Sequence, residues 1–60
     1  EILSRIRIAR AKSLLLNGIS VKVASFLVGF RDQSYFTKVF TKIEGISPSR
    51  YIEQFQPRSS

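Results

Sequence analysis

Residues 20–44 decide the fold, and their sequence is SVKVASFLVGFRDQSYFTKVFTKIE. Two segments in this stretch, at about 21–28 and 33–44, have apolar residues at helical spacing. Ser20 and Asp32 precede them and are residues typical of helix N-caps, because a side-chain oxygen can accept from a free amide of the first turn. Two short helices joined by a turn that contains a glycine predict a helix-turn-helix.

The segment 33–44 has the most regular pattern in the chain, with four apolar residues at i, i+3, i+4 and i+7. Polar and basic residues occupy the opposite side. We expect the apolar side to pack into the core and the polar side to face outward, and we expect a shorter stripe of segment 21–28 to be buried as well. The stripes are Phe36, Val39, Phe40 and Ile43 in the former segment and Ala24, Leu27 and Val28 in the latter.

The flanking segments complete an all-α fold. A first helix is predicted over about 2–17 and ends at Gly18, a residue suited to the left-handed conformation that closes a helix. Ser47 followed by Pro48 predicts the start of a last helix, which is expected to bury Tyr51, Ile52 and Phe55. The result is a homeodomain-like bundle of about four helices that contains one helix-turn-helix. Its expected parts are a linker helix at 1–18, the helix-turn-helix subdomain at 19–56 and a frayed tail at 57–60.

The first helix has two apolar stripes. A surface helix needs only one, so a second stripe indicates either a helix that packs on both sides or a loosely amphipathic core helix. The first stripe consists of Ile2, Ile6, Ala9 and Leu16, and the second of Ile8, Ala11 and Leu15.

The amino-acid composition excludes several classes of functional site and indicates the kind of partner. The 60 residues include ten Lys or Arg, four Asp or Glu, and no His or Cys, which gives a net charge of +6. Disulfides, thiol nucleophiles, imidazole bases and the usual zinc ligands are excluded, so we expect no enzyme activity, metal or cofactor. A basic folded surface favours nucleic acid as the partner. No uncharged stretch is long enough to span a bilayer and nothing resembles a signal peptide, so we expect a cytoplasmic fragment with no membrane partner.

The residue types of the helix-turn-helix and the spacing between them resemble those of the AraC/XylS family of bacterial transcription regulators. The resemblance rests on the segment 19–24 and on Val28-Gly29-Phe30, Asp32, Ser34-Tyr35-Phe36, Phe40, Lys42, Gly45, Ser47-Pro48 and Tyr51. The segments 9–12 and 14–16 are similar to the linker helix of that family. One departure is Lys22, where an acidic residue is common in the family.

The resemblance implies that the chain is the second of two helix-turn-helix subdomains, each of which places a recognition helix in the major groove of double-stranded DNA. The first subdomain and the effector or dimerisation domain are then missing partners. One apolar stripe of the first helix would pack on the missing subdomain. If that stripe is Ile8, Ala11 and Leu15, it is exposed in this chain and favours self-association, and Leu15→Asp costs little folding stability here.

The polar side of segment 33–44 supplies the candidate DNA contacts. Amide, ammonium and hydroxyl groups can hydrogen-bond base edges, and basic or hydroxyl groups can contact phosphates. The alternative is an ordinary solvated face, and Tyr35 either stacks on the DNA backbone or covers the edge of the core. The phenylalanines at 30, 36 and 40 are expected in the core. The resemblance implies base contacts at the positions similar to the family's base-facing ones, which are Gln33, Ser34, Thr37 and Lys38. The phosphate-contacting candidates are Lys42 on the flank of this segment and, outside it, Ser20, Arg31, Ser49 and Arg50.

A second function remains open. A basic helical protein-interaction module would have the same bundle, but its polar face would make no sequence-specific DNA contact. Its binding would then not depend steeply on salt, whereas phosphate binding does.

Overall fold

The computed structural model describes residues 2–55, which form four helices and no strand. This confirms the all-α prediction, with a helix-turn-helix formed by α2 and α3. No helix in the described range is long and apolar enough to cross a membrane. The predicted tail at 57–60 lies outside the described residues. The helices are α1 (Ile2–Leu16), α2 (Val21–Leu27), α3 (Gln33–Glu44) and α4 (Pro48–Phe55).

The turn of the helix-turn-helix follows from local backbone hydrogen bonds. Helix α2 begins at the predicted cap, because Ser20 Oγ accepts from Val23 N at 3.2 Å. It ends in a Schellman motif, in which Gly29 has a positive φ of 100° and the amide of Phe30 donates to Ser25 O at 2.9 Å. A residue with a Cβ is strained at such a φ. The helix therefore ends where the glycine allows the chain to turn towards α3.

All four helices pack around a core of aromatic rings. Phe36 is fully buried, and its ring centroid lies 5.3 Å from that of Phe30 and 5.7 Å from that of Phe40. Tyr51 of α4 packs edge-on against Phe40 at 5.5 Å. The assignment of the three phenylalanines to the core is confirmed. The buried apolar residues are Ile8, Ala11, Leu15, Ala24, Val28, Phe30, Phe36 and Phe40, with Val39 and Ile43 partly buried beside them.

Helix α1 buries the stripe that is predicted to face a missing partner. Ile8, Ala11 and Leu15 are at most 1% exposed, so the expected exposed strip and the small cost of Leu15→Asp are wrong. The side exposed to solvent is the other one, with Ile2 78% and Ile6 52% exposed. Both stripes have bulky side chains at their ends and a short alanine between them, so the surface that the other three helices present, and not side-chain size, selects the buried stripe.

Two further burial predictions are wrong. Leu27 is 60% exposed and Phe55 is 56% exposed. In α2 the side that contains Ala24 and Ser25 faces the core, and Leu27 points away from it. Ser25 is buried on this side, and its hydroxyl is satisfied because it donates to Lys22 O at 2.8 Å. Phe55 occupies the last position of α4, and its ring lies 4.8 Å from that of Tyr51.

An ion pair joins α1 to the end of α3. Lys12 Nζ lies 3.2 Å from Glu44 Oε2, and both side chains are partly exposed. A pair of this kind contributes at most about 1 kcal/mol. Its main consequence is that the one carboxylate of α3 is drawn towards α1.

Candidate nucleic-acid interface

The polar side of α3 points away from the core. Gln33, Ser34 and Lys38 are exposed and Thr37 is half-buried. Both phenylalanines of the helix are fully buried on the opposite side, so packing fixes the rotation of α3 about its axis. The four predicted base-contacting residues therefore lie together on the outward side.

Asp32 fixes the start of α3. Its Oδ1 accepts hydrogen bonds from the amides of Ser34 at 2.7 Å and Tyr35 at 3.4 Å. This is the predicted N-cap, and it satisfies amides that have no partner within the helix. Its carboxylate also complements the positive end of the helix dipole. The backbone at the start of the helix is thereby fixed relative to the turn.

A groove between α2 and the start of α3 contains two cations and an amide. It is lined by Lys22, Arg31 and Gln33, all of which are exposed. Ser20, which caps α2, is two residues before Lys22 in the chain. The structure thus brings one predicted phosphate contact, Arg31, next to a predicted base contact.

The other predicted phosphate contacts lie on different parts of the surface. Lys42 is on the flank of α3 that faces α1, where it lines a groove with Arg5. Ser49 and Arg50 are exposed in the first turn of α4. The amide of Arg50 is not free, because it donates to Ser47 Oγ at 3.2 Å. A phosphate at this helix start would therefore meet the guanidinium rather than that amide.

Three residues outside the predicted set share these surfaces. Lys22 lines the groove with Arg31, and its departure from the family pattern is a signal visible in the sequence. Thr41 is exposed one turn beyond Thr37, and its hydroxyl donates to Thr37 O at 2.8 Å, which leaves its oxygen free only as an acceptor. Arg5 had no signal in the sequence, because its proximity to α3 depends on how α1 crosses that helix.

The dimensions and chemistry of α3 suit the major groove. An α-helix with its side chains is about 10–12 Å across, close to the roughly 12 Å width of that groove in B-DNA. The amide of Gln33 can pair with adenine, and the ammonium of Lys38 can donate to guanine O6 and N7. Glu44, the only carboxylate of α3, is held by Lys12 and leaves the outward side free of negative charge.

Comparison with known proteins agrees with this geometry. The model of a family described as a helix-turn-helix domain, of the AraC type, matches residues 1–54. The chain belongs to the AraC/XylS family. The match includes α1 as well as the helix-turn-helix, in agreement with the core that α1 shares with the other helices.

Relatives of this AraC-type chain are much longer proteins. The transcriptional activator AggR of Escherichia coli is 35% identical over 57 residues, which cover 93% of this chain and 22% of AggR. The HTH-type transcriptional activator CfaD of the same organism is 33% identical, with the same coverage. Histidine kinase P4 of Formosa agariphila is 42% identical over 92% of this chain, but the match covers 4% of the kinase. No solved structure gives a significant match.

Proposed function

We propose that the chain is the DNA-binding fragment of a bacterial AraC-type transcription regulator and that α3 enters the major groove. The exposed polar side of α3, held outward by two fully buried phenylalanines, is the observation on which the proposal rests. The net charge of +6 supports the same ligand, because DNA phosphates attract a basic domain. Regulators of this helix-turn-helix family are generally not enzymes, and the proposed role is non-catalytic and cytoplasmic.

Base recognition is assigned to the outward side of α3. Gln33 and Lys38 are proposed to pair with adenine and guanine edges, and Ser34 and Thr37 to contact either bases or phosphates. Phosphate contacts fix the register of the helix on the duplex without specifying sequence. The proposed phosphate-contacting residues are Ser20, Arg31, Lys42, Ser49 and Arg50, together with Lys22.

The proposal includes a longer protein in which α1 joins this unit to a first helix-turn-helix subdomain. The relatives support it, since the chain spans about a fifth of AggR. The first half of α1 exposes Ile2, Leu3 and Ile6, and apolar surface of this kind favours a packing partner. The effector or dimerisation domain belongs to the same longer protein, and in its absence the exposed side of α1 is proposed to favour self-association.

The isolated 60-residue chain is expected to bind duplex DNA weakly, with steep salt dependence and little sequence preference. Half of the proposed recognition surface is absent, and phosphate contacts supply most nonspecific affinity. Fluorescence anisotropy with labelled random-sequence duplexes over a range of salt concentrations measures both properties. Salt-insensitive binding or none would favour the protein-interaction module, and tight sequence-selective binding would contradict the need for a second subdomain.

Substitutions of two lysines on α3 are expected to have different effects in a regulator that carries both subdomains. Lys38→Ala should cost about 1–3 kcal/mol on the preferred site and relax preference at one or two base pairs, because it removes a base contact. Lys42→Ala should weaken binding to all sequences, because it removes a phosphate contact. The negative slope of log affinity against log salt should become less steep by about one unit. Selection from random duplexes, followed by salt titration, compares the two variants. Identical behaviour would show that the two sides of α3 are wrongly assigned.

A further inference from the structure

Tyr35 lies between two grooves, and each groove has two cationic side chains. One groove, between α1 and α3, is lined by Tyr35, Arg5 and Lys42. The other, between α1 and the turn before α3, is lined by Tyr35, Arg7 and Arg31. The tyrosine is 57% exposed. We call the tyrosine and its four cations the Tyr35 collar.

Two of the collar cations belong to α1, which lies outside the helix-turn-helix itself. Arg7 is held against the turn, because its Nη1 donates to Gly29 O at 3.5 Å and its guanidinium carbon lies 5.8 Å from the centroid of the Phe30 ring. The latter is a cation–π distance. Arg5 is exposed and shares the groove with Lys42. Packing of α1 on the core therefore brings two positive charges to the side of α3.

The collar borders the side of α3 that is proposed to contact bases. Tyr35 and Lys42 are seven residues apart and lie along one line of the helix, and Lys38 is three residues from the first and four from the second. A helix nearly fills the width of the major groove, so each of its flanks faces one phosphate backbone. Arg5, Tyr35 and Lys42 of the collar lie on one flank, whereas the groove with Lys22 lies on the other, and Arg31 in the turn lines a groove on each side.

The collar has little negative charge of its own. Asp32 lines one of the two grooves, but its Oδ1 already accepts from the amides of Ser34 and Tyr35. The groove with Arg5 is lined by no carboxylate among the described residues. Like charges so placed repel one another, and a phosphate between them relieves that repulsion.

We propose that the Tyr35 collar binds the phosphate backbone of one DNA strand, with the Arg5 guanidinium and the Tyr35 hydroxyl in direct contact with phosphates. Arg7 and Arg31 add positive charge at positions fixed by the turn. The inference rests on the proposed DNA-binding function and extends it, because α1 becomes part of the DNA interface as well as part of the core.

Replacement of Arg5 and Arg10 by glutamine tests the collar with a matched control. Both residues are exposed arginines of α1, and both substitutions remove one positive charge. Arg10, however, lines a groove with Leu14 and Leu27 on another side of the helix. Binding of the 60-residue chain to a random-sequence duplex is measured by anisotropy as a function of salt. We expect Arg5→Gln to make the negative slope of log affinity against log salt less steep by about 0.9, the value for one phosphate contact. Arg10→Gln should leave the slope unchanged.

Two further variants separate contact from folding. Arg5→Lys keeps the charge and should retain the slope of the unaltered chain. Tyr35→Phe keeps the ring, whose centroid is 5.8 Å from that of Phe30, and removes only the hydroxyl. It should lower affinity severalfold without changing the slope, because no charge is lost. Melting temperatures from circular dichroism should be the same for all of these chains.

Three results would contradict different parts of the proposed interface. An equal reduction of the salt slope by Arg5→Gln and Arg10→Gln would overturn the collar, because net charge alone would then explain the binding. A lower slope for Lys42→Ala but not for Arg5→Gln would overturn the part assigned to α1 and leave the proposed function intact. Absence of salt-dependent binding by the unaltered chain would contradict the proposed function itself.

Discussion

Replacement of Phe40 by alanine is expected to abolish cooperative folding of this chain. Phe40 is fully buried, and its ring packs between those of Phe36 and Tyr51. Removal of such a ring costs about 3–5 kcal/mol. The free energy of unfolding of a 60-residue domain is itself on the order of 3–9 kcal/mol, so little or no stability remains. Thermal unfolding followed by circular dichroism at 222 nm measures the loss.

Phe26→Ala is the control for this prediction. The same ring is removed, but Phe26 is 75% exposed on the outer side of α2. The expected change in unfolding free energy is within about 0.5 kcal/mol, as for most surface substitutions. A destabilisation as large as that of Phe40→Ala would show that the outer side of α2 is packed in solution, contrary to the structure.

The second large effect is expected for Leu15→Asp. Leu15 is 1% exposed and lies in the core shared by α1 and the other helices. The substitution removes apolar contacts and places an unpaired carboxylate among apolar side chains. We expect a loss of at least about 4 kcal/mol, enough to unfold the chain in isolation. Thermal unfolding and sedimentation of the 60-residue chain test this directly.

Ile6→Asp is the matched control on the same helix. Ile6 is 52% exposed on the opposite side of α1, so the same change of residue type should cost less than about 1 kcal/mol. It should also reduce any self-association seen by sedimentation, because it puts a charge on the exposed apolar side. If Ile6→Asp unfolds the chain and Leu15→Asp does not, the orientation of α1 is the reverse of the one described.

The proposed base-contacting side of α3 was predictable from the sequence, and the collar was not. The apolar spacing of α3 and the N-cap at Asp32 define which residues lie opposite the core, and the resemblance to the AraC/XylS family singles out Gln33 and Lys38 among them. The same helical spacing also predicts that Tyr35 and Lys42 lie on the flank of the polar side. Its neighbour Arg5 could not be assigned, because helical periodicity carries no information about the direction in which α1 crosses α3.

The sequence by itself determined where each helix begins and ends and which side of α3 is buried. Capping groups and glycines act through hydrogen bonds and backbone angles within a few residues, and their effects are therefore local. Only the tertiary structure decided which stripe of α1 is buried, since both have helical spacing. The choice depends on the surface that α2, α3 and α4 present together, and the stripe of Ile8, Ala11 and Leu15 is the one that fills it.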